Sequence, residues 1–238
     1  KDFKMIDAVR NTVLAILNKN NYGYLSPSDF NLYAQQAQLE IFEDYFYQYN
    51  TQINLENARR SGTDYANLSK GILEVIDLFS KTATLAQTVA ADNTYTMPAD
   101  YYLMNTVIYS GLEVERVNQG KITMLLNSMI TAPSKEFPAY TTEGSTMTVY
   151  PITITGATDV SAQYVRYPLP PKWTYYTALE LQGPVFNQSA ADYQDFELPL
   201  DNLNDLVIKI CLYAGVEIRE AAVVQFAQGE EQQNNTQQ

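Results

Sequence analysis

Apolar residues recur at spacings of three and four through residues 26–60, at Phe30, Tyr33, Ala34, Ala37, Ile41, Tyr45, Phe46, Tyr49 and Ile53, which predicts one long helix. Polar residues fill the opposite face, among them Gln35, Gln38, Glu43, Gln48 and Gln52. The start is well specified: the Ser26 hydroxyl suits a cap, Pro27 suits the first helical position because its missing N–H would be unpaired there, and Asp29 puts negative charge in the first turn. At 1.5 Å per residue such a helix reaches roughly 50 Å, longer than a small domain is wide. It needs more than one thing to lie against.

A shorter amphipathic helix is expected before it, over residues 5–19, ended by Asn20, Asn21 and Gly23 and folding back on the long helix as a hairpin. A third is expected over 64–80, with Leu68, Ile72, Val75, Ile76 and Phe79 inward. From residue 82 the pattern changes to Thr, Tyr and Val broken by Pro and Gly, the mark of short strands and turns. The candidate strands are 94–97, 103–109, 112–117, 139–142, 146–150 and 160–167, with a hairpin turn at Glu143–Gly144 and one short helix over 118–127.

The prolines at 168, 170 and 171 force an extended segment, and the aromatic stretch after them carries no clean period; it is read as a long connection packed along a surface. A strongly apolar helix then begins near Pro199, with Asp201 as its cap and a break at Gly215 before a restart through Val223 and Phe226. The expected class is α+β: a helical bundle of N- and C-terminal helices with an inserted small antiparallel β lobe. Its parts are an N-terminal helical lobe (1–81), the β lobe with one short helix (82–173), the extended connection (174–198), the returning C-terminal helices (199–228) and a polar tail (229–238).

Composition narrows the function. No stretch reaches the roughly 18 apolar residues of a membrane span, so a soluble protein is expected, and no apolar leader core follows Lys1. Fifteen basic against twenty-seven acidic side chains leave a net charge of −12, the wrong sign for gripping a phosphate backbone. An acidic wall past which DNA slides without sticking is compatible with it. One cysteine, Cys211, excludes an internal disulfide and a multi-cysteine zinc site; its apolar helix reads as a place for a core thiol. The absence of histidine removes Ser-His-Asp and Cys-His nucleophile systems, His-containing zinc sites and histidine bases. Gly120–Lys121 lacks the earlier glycine of a phosphate loop, since position 115 is Glu. Glu113 and Glu115 share one face of a strand and are the remaining pair for carboxylate catalysis, against the simpler reading of a solvated strand face. The expectation is therefore a protein that is not an enzyme and takes no metal or cofactor.

Nineteen tyrosines point instead to contact surfaces, because tyrosine joins a large apolar ring to a polar tip. Tyr33, Tyr45 and Tyr49 read as padding of the helix core. Tyr175, Tyr176 and Tyr193, in the unpatterned connection, are the candidates for contact with another subunit or partner. The tail has nothing apolar to bury, and its Glu230, Glu231, Gln232, Gln233, Asn234 and Asn235 join them as candidates for capture by a neighbouring chain.

Three segments together, 25–50 (LSPSDFNLYAQQAQLEIFEDYFYQYN), 95–109 (YTMPADYYLMNTVIY) and 198–231 (LPLDNLNDLVIKICLYAGVEIREAAVVQFAQGEE), resemble the head-to-tail connector ring proteins, or adaptors, of crAss-like short-tailed bacteriophages. The resemblance spans most of the chain and rests on pattern, not on a catalytic motif. It implies a structural protein of the virion, assembled in the host cytoplasm as a homo-oligomeric ring of twelve copies. That ring would dock beneath the portal protein, meet the adjacent tail ring or hub protein on its other side, and let genomic DNA pass without specific binding or any membrane contact. Another virion structural role, or a cell-surface glycan-binding module, is the alternative.

Overall fold

The computed structural model describes residues 4–17, 25–59, 68–177 and 184–218, with the side chains of 52–59, 68–69 and 216–218 left aside. The chain divides into two compact units: Lys1–Val75 with Pro168–Gln238, and Ile76–Tyr167.

In the first unit the helices are α1 (Met5–Leu17), α2 (Pro27–Arg59) and α5 (Leu203–Ile218), with α3 (Leu68–Asp77) ending at the division. The start of α2 follows from its local sequence. The Ser26 hydroxyl accepts from the Asp29 backbone N–H at 3.1 Å and donates back to the Asp29 carboxylate, while Phe30 N–H makes the first helical bond to Ser26 C=O. Phe30, Ala34, Ala37, Ile41 and Phe42 are buried; Tyr45, Phe46 and Tyr49 of the expected core face are only half-buried. Residues 18–24, where the turn between the first two helices was expected, lie outside the described residues, and α1 and α2 do not lie along one another as a hairpin. Each packs instead on α5, whose Leu206, Ile210 and Ala214 are fully buried. Asp201 is not the cap of this helix: it sits exposed in a 3-10 turn, Leu200–Asn202, that precedes it, and Pro199 is the cap of that turn, without a side-chain bond. Nor does the helix break at Gly215, which is buried within it.

The expected extended connection is a two-armed hairpin that belongs to the first unit. Its arms pair through Lys172 N–H to Gln194 C=O (2.8 Å) and Asn187 N–H to Thr174 C=O (2.8 Å), and two short strands, β9 (Tyr175–Thr177) and β10 (Pro184–Phe186), form its outer part. The helices hold it by polar side chains. The Asn31 amide pairs with the backbone of Trp173 in both directions, accepting at 2.8 Å and donating at 3.2 Å. Seven residues on, on the same side of α2, Gln38 donates to Leu169 C=O at 2.8 Å and accepts from Glu197 N–H at 3.0 Å. Gln38 was expected on the solvent face; it is buried because both ends of its amide are used.

The second unit overturns the expected fold class. It is not a small antiparallel lobe on a helical bundle but a large eight-stranded, nearly closed, barrel-like sheet, which makes the protein a mixed α and β fold. Strands β3 (Thr94–Thr96), β4 (Tyr101–Tyr109), β5 (Leu112–Arg116), β6 (Ala139–Glu143), β7 (Thr146–Tyr150) and β8 (Val160–Arg166) match the expected six. The other two, β1 (Ser80–Thr84) and β2 (Ala86–Gln87), were not among the expected strands, and β1 meets the expected third helix only at Ser80. The order is β1-β8-β4-β5-β6-β7-β3-β2, so β1 and β2 are the two edges. Only Leu85 separates them. The chain thus passes from one edge to the other in a single residue, with Leu85 buried and its N–H bonded to Val160 C=O, and an open sheet becomes a nearly closed one. One pairing, β5 with β6, is parallel. The core inside holds Tyr95, Val107, Met147, Val149, Val160, Ala162 and Tyr164. The β4–β5 turn has Ser110 and Gly111 both at positive φ, the I′ pattern, whereas the β6–β7 loop is Gly144–Ser145 with positive φ at its first residue, one position beyond the expected turn.

Candidate functional site

The connection from β5 to β6 carries the four most exposed large apolar side chains among the described residues. Asn118 begins a two-turn helix, α4 (Gln119–Leu126), anchored by Ile122, which is buried against Val117 and Ala139. The anchor leaves the rest of the connection outside. Met124 is 75% exposed, Phe137 78%, Ile130 94% and Met129 fully so. These side chains are not on a loose strand of chain. The Ser128 hydroxyl accepts from the N–H groups of Ile130 (3.3 Å) and Thr131 (3.2 Å), and Ser134 pairs with Phe137 through both its backbone N–H and its hydroxyl. Sequence reading counted Leu125 and Leu126 toward a helix and passed over Met129 and Ile130. The available signal was an apolar pair belonging to neither a helical nor a strand period.

The three tyrosines singled out in the hairpin are placed differently from one another. Trp173, buried, is the centre of an aromatic cluster: Tyr175 stacks on it at 5.8 Å and Phe186 at 5.7 Å, and Tyr193 meets Phe186 edge-on. The buried Arg10 guanidinium lies 3.8 Å from the Trp173 ring centre, and the indole N–H donates to Asp7 at 3.0 Å. Tyr193 is therefore an internal contact, its hydroxyl pKa raised by burial and then by the negative charge of Asp195. Tyr175 gives one face to the cluster and is half exposed. Tyr176, next along the strand, points to the other side and is 52% exposed. The candidates Glu230, Glu231, Gln232, Gln233, Asn234 and Asn235 lie outside the described residues.

Little here suits covalent chemistry. Glu113 and Glu115 flank the buried Val114 on β5 and both face outward, exposed. Cys211 is buried, which pushes its thiol up to about 11, far from the thiolate a nucleophile or metal ligand needs. Among the described residues no cluster of three or more carboxylate or cysteine side chains is arranged to hold a metal ion, and no helix is long and apolar enough to cross a membrane. Comparison with protein-family models and with curated proteins finds no match to the chain.

Proposed function

We propose that the chain is a structural virion protein forming an oligomeric ring in the head-to-tail connector of a crAss-like short-tailed bacteriophage, beneath the portal, lining the DNA channel and joining portal to tail. The observation that carries this reading is the ordered apolar loop between β5 and β6. A side chain such as Ile130 costs roughly 1.5–3 kcal/mol to leave in water instead of buried, so four large ones held out by a structured loop mark a surface made to be covered. Charge adds support. The unit containing α1, α2 and α5 has nineteen acidic against ten basic side chains, and the barrel unit eight against five, so neither grips DNA and both let it pass. Tyr176 and the outer face of Tyr175 supply a second contact surface.

Native mass spectrometry of the chain, alone and mixed with the portal protein of its source, tests the proposal. A closed ring near twelve times 26.9 kDa in either sample is the expected result. A strict monomer in both overturns it, and glycan-array binding by that monomer would favour a cell-surface module instead.

A further inference from the structure

A strand that pairs on one side only leaves every second backbone N–H and C=O without a partner strand. β1 is such a strand. It pairs with β8 alone, and the bonds that bracket it, Leu85 N–H to Val160 C=O and Arg166 N–H to Phe79 C=O, put its odd-numbered residues on the β8 side. Ser80, Thr82 and Thr84 therefore turn their N–H and C=O groups the other way, and all three are exposed. On that side β2 continues the line and pairs with β3, but β3 ends at Thr96 and the chain turns off at Pro98; no strand among the described residues runs alongside β1 there. Lysine guards many open edges, but the Lys81 ammonium is held at 3.0 Å by Asp100, which precedes β4, the far neighbour of β8, and so is drawn away from this one.

β9 has a matching edge. Asn187 N–H bonds Thr174 C=O, so in the same register Tyr176 faces β10 while Tyr175 and Thr177 turn their backbone groups outward. One step earlier on that edge the Asn31 amide fills both groups of Trp173; Tyr175 and Thr177 have no such filler, and β9 is exposed throughout. The outer edge of β10 lacks a donor at Pro184.

We propose that β9 of one copy adds as a further strand to the open edge of β1 in a second copy. The proposal rests on the ring reading and names a contact that builds the ring. Because the two edges are different, each joined copy still offers one of each, so the contact repeats head to tail and closes when the rotation between copies allows. The sequences of the edges select the occupant. Of twenty-seven acidic side chains none lies on either strand, Ser-Lys-Thr-Ala-Thr or Tyr-Tyr-Thr, so copies of net charge −12 meet here without opposing carboxylates. Threonine and tyrosine suit sheets, and a two-stranded ribbon, marginal alone, becomes part of the eight-stranded sheet it joins.

Photo-crosslinking of the full chain decides it. Tyr176 is replaced by p-benzoyl-phenylalanine, the product is mixed with isotope-labelled parent chain, alone and with the portal protein of its source, and crosslinked peptides are identified by mass spectrometry. The expected product joins position 176 of one copy to residues 80–84 of another. In parallel, Thr82→Pro should raise the concentration needed for assembly about tenfold or more in sedimentation velocity, because it deletes an outward donor and strands the carbonyl opposite. The β1–β8 bonds do not use that N–H, so the melting temperature should stay near the parent's. Thr82→Val keeps the donor and should assemble like the parent. Thr177→Pro makes the same test from the β9 side, and decides if Thr82→Pro fails to fold. Crosslinks from position 176 only to its own copy, to portal or to other residues of a second copy overturn this pairing and leave the ring reading standing, as do proline variants that assemble like the parent. A parent chain monomeric both alone and with portal overturns both.

Discussion

Gln38 holds the hairpin by both ends of one amide, and it is buried to 1% exposure, so no water replaces what a substitution removes. Gln38→Leu keeps the volume but strands Leu169 C=O and Glu197 N–H; a loss of about 1–3 kcal/mol is expected in urea unfolding. Asp100 acts at the sheet edge. It accepts from Lys81 at 3.0 Å on β1 and from the Tyr164 hydroxyl at 2.9 Å on β8. Partial burial works to raise its pKa, but the bonds from Lys81 and Tyr164 outweigh burial and hold it below the ordinary carboxylate value. A group depressed in the folded state adds stability above its unfolded pKa, about 3.9, and loses it as pH falls through the folded value. Asp100→Asn should therefore flatten the fall in stability below about pH 4, read from melting temperatures across an acid series, and leave the slope near neutral pH unchanged. The cap at Ser26 was legible in the sequence because its partner is three residues away. Gln38 was not: its partners lie 131 and 159 positions off, and a glutamine among Gln35, Gln36 and Glu40 looks like one more solvated side chain.

At the scale of elements, local composition found most strands and missed the ones without it. Six strands were readable as runs rich in Thr, Tyr and Val between Pro and Gly breaks, and β7 also alternates, with Met147 and Val149 buried and their neighbours not. The strand β1, Ser-Lys-Thr-Ala-Thr, has no fully buried residue and so no period to detect. Its place is set by pairing with β8 and by the turn at Leu85, and without it the barrel could not be inferred. The helix expected over 64–80 ended too late: Phe79 keeps helical spacing with Ile76, yet α3 ends at Asp77, and Phe79 is buried in the turn that leads into β1; the expected start over 64–67 lies outside the described residues. The α1 end shows how distant chain finishes an element. Asp195 accepts from the N–H groups of Met5 (3.1 Å) and Ile6 (2.8 Å), the unpaired donors of the first turn, from a position 190 residues away. Asp195→Ala should cost about 1–2 kcal/mol in urea unfolding, and hydrogen exchange should show the first turn of α1 losing protection while the barrel keeps its own.

For the whole molecule, net charge and the lack of histidine were legible from composition, and they exclude function classes without saying what the chain contacts. The apolar loop was not legible, because exposure depends on where Ile122 anchors α4, a tertiary fact. In the proposed ring, charge and loop pull in opposite directions. Copies of net charge −12 would repel at long range, whereas a contact through the exposed apolar side chains of the β5–β6 loop would act within a few ångströms. The two respond differently to salt. At about 0.01 M the Debye length is roughly 30 Å and repulsion spans a neighbouring copy; at about 0.15 M it is roughly 8 Å and the repulsion is largely screened. Apolar burial does not weaken over that range, and an exposed ion pair contributes only about 0–1 kcal/mol for salt to remove. Repulsion is then the larger salt-sensitive quantity. Assembly should tighten as sodium chloride rises from about 0.01 to 0.15 M, measured as a falling monomer fraction in sedimentation velocity. An interface built mainly on charge pairs would give the reverse trend.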